Sequence, residues 1–355
     1  MKTLYVIGNG FDIHHKLDTR YQSFALFLEK INNEIYGHLM NYYGLPDLTD
    51  PKLPDDEYAL WSRFEQALAE LDYQLVLDDH SDYAANPGAE DFSDSDWHSY
   101  QIEIELIVDK LTSKLISLFN DFILKVDYQG IPGSSLVELE KESHFLNFNY
   151  TQTLQQAYQV ADNSITYIHN KADAANCTLI LGHGTDPKNF EQKKETPPEG
   201  LSAQELDHWE EQMSDQYDWS YEQANEQILL YFKEAFKNTA AIIESRSDFF
   251  ENLTAVKKVI VLGHSLSEVD IRYFEVLQEK LKGNVIWIVS YYSESERLAH
   301  RETLLGLGVA DSKFVQVKIA DLKKRPWLAG QLYYFYHVQL KLYAKRIRIK
   351  WNNFR

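Results

Sequence analysis

The sequence predicts an α/β protein with a doubly wound, mostly parallel, Rossmann-like sheet that carries two helical insertions. Short apolar runs rich in β-branched and aromatic residues recur along the 355-residue chain, as expected for strands that are buried on both faces. Helical patterns separate several of these runs, and this alternation is typical of a parallel sheet. The chain is 44% hydrophobic and 14% aromatic, which is enough to bury a sizeable core.

The predicted strands are continuous apolar runs. They cover residues 3–7, 144–148, 165–168, 178–181, 257–262, 285–289 and 314–317. Helical periodicity predicts helices at residues 21–35, 151–160, 268–282 and 294–305. Together these elements assign the Rossmann-like core to residues 1–31, 143–185 and 253–326.

Two segments break the alternation and are predicted to be helical insertions. The first, residues 32–142, contains predicted helices at 57–77 and 96–126. The second, residues 186–252, combines a charged loop with helical stretches. We expect these insertions to form a lid, a sensor or a subunit interface, through which the chain would form a homo-oligomer or bind a regulatory partner. The segment 327–355 predicts a C-terminal helix and a basic tail.

The first insertion is strongly acidic. No Lys or Arg occurs between Arg63 and Lys110, whereas Asp and Glu are frequent. One interpretation is a solvated helical face, and the other is a docking surface for a basic partner. Asp91, Asp94 and Asp96 lack the glycine and the distal glutamate of an EF-hand loop, so we expect a helix-capping cluster there rather than a calcium site.

Charge and cysteine content exclude several classes of protein. The formal net charge of -19 disfavours broad binding of nucleic acid. The single cysteine, Cys177, excludes a disulfide within the chain and a cysteine zinc site. The apolar run at residues 4–7 is too short for a signal peptide, and no apolar run is long enough for a membrane span. We therefore expect a cytoplasmic protein that does not bind membranes.

Four predicted strands end on residues that can do chemistry. These ends are Gly8-Asn9-Gly10-Phe11-Asp12, Asn149-Tyr150, His169 and Gly263-His264-Ser265. Ligands bind at the carboxyl ends of parallel strands, so we expect one crevice to gather these residues. Glycine turns bring backbone N–H groups close to a phosphate, an amide holds a water or a hydroxyl, and an imidazole transfers protons near pH 7.

Each of these residues alone also has an ordinary structural explanation. The glycine turn lacks the third glycine of the dinucleotide fingerprint, so a plain strand-to-helix turn with Asp12 as a helix cap is an equal alternative. Asn149 suits a turn, and His169 suits a structural role near the surface. We interpret Asp270 as a helix-start residue rather than a catalyst. The convergence of four strand ends is what favours a site.

The motifs resemble the AbiH family of bacterial phage-defence proteins. The resemblance rests on residues 4–12 with Tyr21 and Phe24, and on 145–151, 168–169, 181–184 and 259–274. It covers most of the chain. It implies a role in antiphage defence by abortive infection.

The strand ends are also similar, more distantly, to sirtuin-like NAD-consuming domains. Asn149 and Tyr150 match a Thr-x-Asn-x-Asp-type motif, and His169 matches the catalytic histidine. Thr151 stands where that motif has an aspartate, whose role is then unfilled or moved to Asp12. Asn170 stands where a glycine is usual, and the four-cysteine zinc module of sirtuin deacylases cannot be built here.

This similarity implies an NAD+ glycohydrolase that releases nicotinamide and ADP-ribose, with NAD as substrate and no required cofactor or metal. It assigns Asn149, His169 and Asp12 as catalytic. It assigns binding of the dinucleotide to Gly8, Asn9, Gly10, Phe11, Tyr150, Gly263, His264 and Ser265. One alternative is a non-catalytic nucleotide-binding sensor of a defence system. Another is a toxin-like nuclease that uses His169, His183 and His264, which the acidic charge disfavours.

Overall fold

The structure is a computed structural model that describes residues 2–140, 143–192, 196–198, 200–216 and 218–322, together with 341 and 344. The predicted C-terminal helix and basic tail at 327–355 lie, apart from those last two residues, outside the described residues. Within the described part, no helix is both long and apolar enough to cross a membrane.

Six strands form one sheet in the described chain. They are β1 (Thr3–Ile7), β2 (His144–Asn147), β3 (Ile165–Tyr167), β4 (Lys258–Leu262), β5 (Ile286–Ser290) and β6 (Phe314–Val317). The strand order is β3-β2-β1-β4-β5-β6, and every neighbouring pair is parallel. This is the Rossmann order, in which the chain changes direction across the sheet between β1 and β4. The predicted fold class is therefore confirmed.

The helices described are mostly short. They are α1 (Asn9–His14), α2 (Tyr21–Ile31), α3 (Asn33–Tyr43), α4 (Asp55–Tyr58), α5 (Phe64–Ala67), α6 (Tyr73–Asp79), α7 (Ser99–Asp109), α8 (Leu115–Leu124), α9 (Thr153–Tyr158), α10 (Ala203–Gln216), α11 (Trp219–Glu234), α12 (Thr239–Ser245), α13 (Ser247–Glu251), α14 (Ile271–Lys280) and α15 (Glu294–Gly306). A π-helical turn at Lys110–Lys114 joins α7 to α8.

Successive side chains along each strand point to opposite faces of the sheet and contribute to two apolar cores, one on each face. In β1, Leu4 and Val6 belong to one buried cluster, while Tyr5 and Ile7 belong to the other. Leu277 of α14 packs in the first cluster, and residues of α9 pack in the second. Because both faces are covered, the strands are apolar throughout, which is the pattern that the sequence shows.

Three predicted elements are wrong in detail. Residues 178–181 form no strand; Leu179 is buried, so the run is apolar because it packs and not because it pairs. The predicted helix 57–77 is broken into α4, α5 and α6, since Asp72 caps a new helix by accepting from the N–H of Leu75. The helix predicted at 21–35 ends at Ile31, and the Asn32 side chain caps α3.

The chain divides into two compact units. The sheet unit comprises Met1–Phe24, Phe119–Ile180 and Asn238–Arg355, and it contains all six strands. The helical unit comprises Ala25–Leu118 and Leu181–Lys237. The division predicted from the sequence, with insertions at 32–142 and 186–252, stays a prediction.

Candidate functional site at the carboxyl ends of the strands

The turns that follow β1 and β4 are in direct backbone contact. The N–H of Gly8 donates to the carbonyl of Leu262 at 3.0 Å, and the N–H of Gly10 donates to the carbonyl of Gly263 at 2.7 Å. A Cβ on Gly263 would lie 2.0 Å from the nitrogen of Phe11, and Gly263 has a left-handed φ of +65°. Only glycine fits such an approach, so the glycines are explained by the packing of two turns.

These hydrogen bonds correct one predicted role. Gly8 and Gly10 were expected to offer their N–H groups to a phosphate, but both groups are bound within the protein. The N–H of Gly263 is also bound, by the hydroxyl of Ser290 at 2.7 Å. Among the residues of the two glycine turns that are predicted to bind the dinucleotide, Ser265 is the one exposed to solvent.

Asn9 and Phe11 are also held within the protein. The Asn9 side chain donates to the Thr19 carbonyl at 2.9 Å and accepts from the Thr19 hydroxyl at 2.6 Å. The ring of Phe11 is buried and lies 4.4 Å from the ring of His15. The structure therefore places both side chains in the support of the turn.

Asp12 is the centre of a buried polar group that we call the carboxylate cluster, made of Asp12, Asn149, Thr151 and Thr153. The hydroxyls of Thr151 and Thr153 each donate to the Asp12 carboxylate at 2.6 Å. Burial raises the pKa of Asp12 to about 6, although hydrogen bonds from Thr151, Thr153 and Asn149 lower it in part. Asp12 is therefore not a helix cap. It places a buried carboxylate beside Thr151.

Asn149 links the carboxylate cluster to the glycine turns. Its side-chain amide donates to the carbonyl of Gly8 at 3.1 Å, and its backbone N–H donates to the Asn147 side chain at 3.1 Å. The residue is 6% exposed. Its amide is thus fixed at the carboxyl end of β2, where the sequence predicts it.

A second group, which we call the imidazole cluster, consists of His169, His264 and Asp270. One carboxylate oxygen of Asp270 lies 3.8 Å from Nε2 of His169, and the other lies 3.6 Å from Nε2 of His264. The N–H of Leu266 donates to Nδ1 of His264 at 3.0 Å. A neutral His264 ring must then carry its proton on Nε2, facing the carboxylate.

Aromatic rings surround the imidazole cluster. The Phe148 ring lies 4.4 Å from the His264 ring and 5.6 Å from the His169 ring. Tyr273 and Tyr150 lie 5.7 Å and 6.1 Å from His169, and the Tyr150 hydroxyl donates to the Ile180 carbonyl. Apolar walls of this kind exclude water and strengthen the interaction between an imidazolium and a carboxylate.

Two residues beside the cluster have left-handed backbone conformations. Asn170, directly after His169, has a φ of +62°, and Leu266 has a φ of +53°. Asparagine is among the few residues other than glycine that adopt this region readily, so Asn170 suits its position. The Asn170 side chain is held by Arg246 at 2.8 Å and by the Thr178 carbonyl at 2.6 Å.

Asp270 is the functional candidate that sequence reasoning missed. It is the residue just before α14, as predicted, but its side chain caps no backbone N–H there and faces two histidines instead. An aspartate at a helix start is too common to indicate more. Among the described residues, no group of three or more His, Cys, Asp and Glu side chains is arranged to hold a metal ion.

The third histidine of the nuclease alternative belongs to the helical unit. His183 is completely buried there, with its ring 5.8 Å from Phe190 and 6.2 Å from Phe232. Burial lowers the pKa of His183. These surroundings are those of a core histidine.

The fold and the site define a class: an α/β protein of Rossmann strand order with two polar clusters at the carboxyl edge of its sheet. The chain belongs to the bacteriophage abortive infection AbiH family, whose model matches residues 4–291. The match includes β1 to β5 and both clusters, and the family indicates a role in phage abortive infection. Comparisons with curated proteins and with solved structures gave no match.

Proposed function

We propose that the protein is an NAD+ glycohydrolase that acts in abortive infection. The observation that supports it most is the imidazole–carboxylate pair of His169 and Asp270 at the carboxyl edge of a Rossmann-order sheet. That edge is where such sheets bind nucleotides. The similarity of Asn149 and His169 to the sirtuin-like motifs supplies the chemistry.

Nicotinamide is a good leaving group in this reaction because it departs as a neutral molecule. The bond between C1′ of the ribose and the nicotinamide nitrogen breaks, and its electron pair returns to the pyridinium ring, which becomes neutral. The ribose gains oxocarbenium character, and a water oxygen bonds to C1′. One proton of that water must be removed, so the enzyme needs a base, an oriented water and stabilised charge.

The two clusters would divide this work. His169 accepts the water proton, and Asp270 stabilises the imidazolium that forms, with His264 as a second partner of Asp270. Asn149 orients the water or a ribose hydroxyl through its amide. Asp12 is buried and fully hydrogen-bonded, so in this proposal it positions Asn149 and does not touch the substrate.

The burial of the site implies a local opening. His169 is 2% exposed and Asn149 is 6% exposed, so a dinucleotide needs the surrounding loops to move. The turn from Gly263 to Leu266 contains two left-handed residues and carries the exposed Ser265. We expect this turn to open, and we expect the Ser265 hydroxyl to contact the pyrophosphate.

The proposal is tested by incubating the purified full-length protein with NAD and measuring nicotinamide and ADP-ribose by chromatography. His169→Ala and Asn149→Ala should each lower turnover by roughly 10²- to 10⁴-fold while the circular dichroism spectrum stays that of the parent. His208→Ala, at an exposed position on α10, is the matched control and should keep full activity. Undiminished turnover in both site variants would refute the assignment.

A thermal shift with NAD separates the proposal from the sensor alternative. If NAD raises the melting temperature but no nicotinamide is released, the protein is a nucleotide-binding module without this activity. If NAD neither binds nor reacts, both interpretations fail. If the parent turns over NAD, and His169→Ala loses turnover but keeps the thermal shift with NAD, His169 acts in catalysis and not in binding.

A further inference from the structure

The helical unit contains a hollow that is lined by none of the residues of the proposed active site. It has a volume of about 350 Å³, is open to solvent, and is lined by Asp94, Trp97, His98 and Trp219. These residues lie on the turn before α7 and at the start of α11. All of them belong to the helical unit, so the hollow is complete within one compact body.

The walls of the hollow are aromatic and braced. The rings of Trp97 and Trp219 are 6.2 Å apart at 84°, and His98 lies 5.1 Å from Trp219 at 83°. Phe92 supports Trp97 from 5.4 Å at 89°. Two half-buried indoles held nearly at right angles present a face and an edge to whatever occupies the space.

The backbone beneath the hollow is fixed. The N–H of Ser93 donates to the Asp96 carboxylate at 2.7 Å, which closes a capping box around the Asp94–His98 turn. The start of α11 is capped by Asp218, which accepts from the N–H of Tyr221 at 3.1 Å. The predicted capping role of this acidic group is thus confirmed for Asp96, while Asp94 is left to line the hollow.

The two segments that form the hollow carry several carboxylates. Asp94 lies in the wall, and Asp96 and Asp218 belong to the two segments that form it. The sequence from 64 to 109 contains no Lys or Arg. Indole faces attract cations through their quadrupole, and a nearby carboxylate adds to that attraction.

We propose that this hollow binds a cationic side chain, an arginine or a lysine, from a basic segment of a partner protein. A planar guanidinium stacks on an indole and pairs with the Asp94 carboxylate at the same time. Exposed Glu90 and Asp91 directly precede Phe92, which supports Trp97, so the segment that forms the hollow offers further carboxylates to the basic residues that flank the inserted one. A small ammonium compound would leave that wider surface unused, which is why a protein segment fits better. The inference does not depend on NAD hydrolysis.

The first experiment uses full-length protein labelled with 5-fluorotryptophan and observed by ¹⁹F NMR. The chain has 7 tryptophans, and Trp97→Phe and Trp219→Phe identify the two resonances of the hollow. We expect N-acetyl-arginine amide to shift these two resonances and leave the others in place. N-acetyl-citrulline amide has the same shape without the charge and should shift neither. Absence of a shift at both tryptophans with the arginine probe overturns the proposal.

The second experiment measures binding of a fluorescein-labelled peptide with a central arginine flanked by lysines, by fluorescence anisotropy. Asp94→Asn and Trp219→Leu should each weaken binding by about fivefold or more. Asp207→Asn removes the same charge at an exposed position of α10 and should leave affinity within about twofold. If Trp219→Leu loses its fold by circular dichroism, Asp94→Asn carries the test.

Two outcomes would contradict the proposal in distinct ways. Equal weakening by Asp207→Asn and Asp94→Asn would mean that only the overall negative charge attracts the peptide. Tighter binding of choline than of N-acetyl-arginine amide, in the ¹⁹F assay, would mean that the hollow takes a free quaternary ammonium compound and not a protein side chain.

Discussion

The two polar clusters at the edge of the sheet are built in opposite ways. In the carboxylate cluster, Asp12 is completely buried and accepts two hydroxyl hydrogen bonds of 2.6 Å. In the imidazole cluster, the imidazole nitrogens lie 3.6 to 3.8 Å from the Asp270 carboxylate oxygens, which is longer than a hydrogen bond, and the Asp270 side chain is 15% exposed. The carboxylate cluster is closed and held by short hydrogen bonds, whereas the imidazole cluster has longer contacts and a partly exposed carboxylate.

We interpret the carboxylate cluster as structural support and the imidazole cluster as the candidate catalytic group. A saturated buried carboxylate holds strands in register and is costly to disturb, because each lost bond leaves a buried charge under-satisfied. Imidazole–carboxylate contacts in unliganded sites are often long and tighten only when the substrate is bound. We therefore expect changes in the carboxylate cluster to alter stability first, and changes in the imidazole cluster to alter turnover first.

The largest expected effect is at His169. His169→Asn keeps a polar side chain but removes the base, so turnover of NAD should fall by roughly 10²- to 10⁴-fold while the melting temperature changes little. Nicotinamide release and thermal melting are measured on the same preparation, with His208→Asn beside it. A collapse in melting temperature would place His169 with the supporting residues instead.

The next effect is the pH dependence of stability at Asp12. Burial raises the pKa of Asp12 from 3.8 to about 6, so between these values the folded protein keeps a proton that the unfolded chain has released. This contribution to stability is complete below pH 3.8 and is lost as the pH rises through 6, which costs on the order of 3 kcal/mol. Asp12→Asn has no carboxyl to ionise at this buried position, so its stability relative to the parent should increase as the pH is raised from 4.5 to about 8.

His15 contributes to the pH dependence of stability in the direction opposite to that of Asp12. Its ring is bonded to the Phe11 carbonyl at 2.7 Å and to the Tyr158 hydroxyl at 2.5 Å, and burial lowers its pKa from 6.5 to about 4. Between pH 6.5 and about 4, His15 is therefore protonated in the unfolded chain but not in the folded protein. Stability is lost as the pH falls through this range. With the opposing Asp12 contribution removed, Asp12→Asn should lose stability on acidification more steeply than the parent in thermal melts. Parallel pH curves for the two proteins would contradict the assigned titrations.

A smaller loss of stability is expected at Thr153. Thr153→Val removes one of the two hydroxyls that donate to Asp12 and leaves the shape of the side chain unchanged. Because a hydrogen bond to a charged group is lost, the free energy of unfolding at pH 8 should fall by about 1.5 to 3 kcal/mol. Thr254→Val, at an exposed position, is the matched control in equilibrium denaturation. A variant that retains its stability but loses turnover as severely as His169→Asn would remove the distinction between the clusters.

The smallest effect is expected at Asp270. Asp270→Asn keeps the side chain between His169 and His264 but removes its charge, so turnover should fall by about tenfold. Glu268→Gln, exposed two residues earlier, serves as the control. Undiminished turnover in Asp270→Asn would show that Asp270 does not act on His169.

Much of the sheet could be predicted because its signals are local. The apolar run before Asn149 gave β2 to within a residue, and β1 and β6 have the predicted bounds. The run at 178–181 misled because burial alone produces the same pattern as a buried strand. The sequence left open whether the turn at Gly10 cradles a phosphate or is an ordinary strand-to-helix turn, and in the structure Gly10 packs against the turn after β4.

The candidate site was predictable only in part, for a similar reason. Asn149 and His169 follow from the rule that ligands bind at strand ends. The bonds of Asp12 to Thr151 and Thr153 join residues far apart in the chain, and no spacing in the sequence announces them. Asp270 meets His169 only because the start of α14 is brought to the end of β3, which the order of elements along the chain does not reveal.

The contact between Gly10 and Gly263 also bears on how the protein is made. The ribosome releases β1, Asn149 and His169 well before Gly263, His264 and Asp270, and domains acquire their structure as their segments become available during synthesis. A nascent chain therefore carries His169 without Asp270 and the first turn without its partner. Under the proposed function, the growing polypeptide has no complete site until Asp270 has been added.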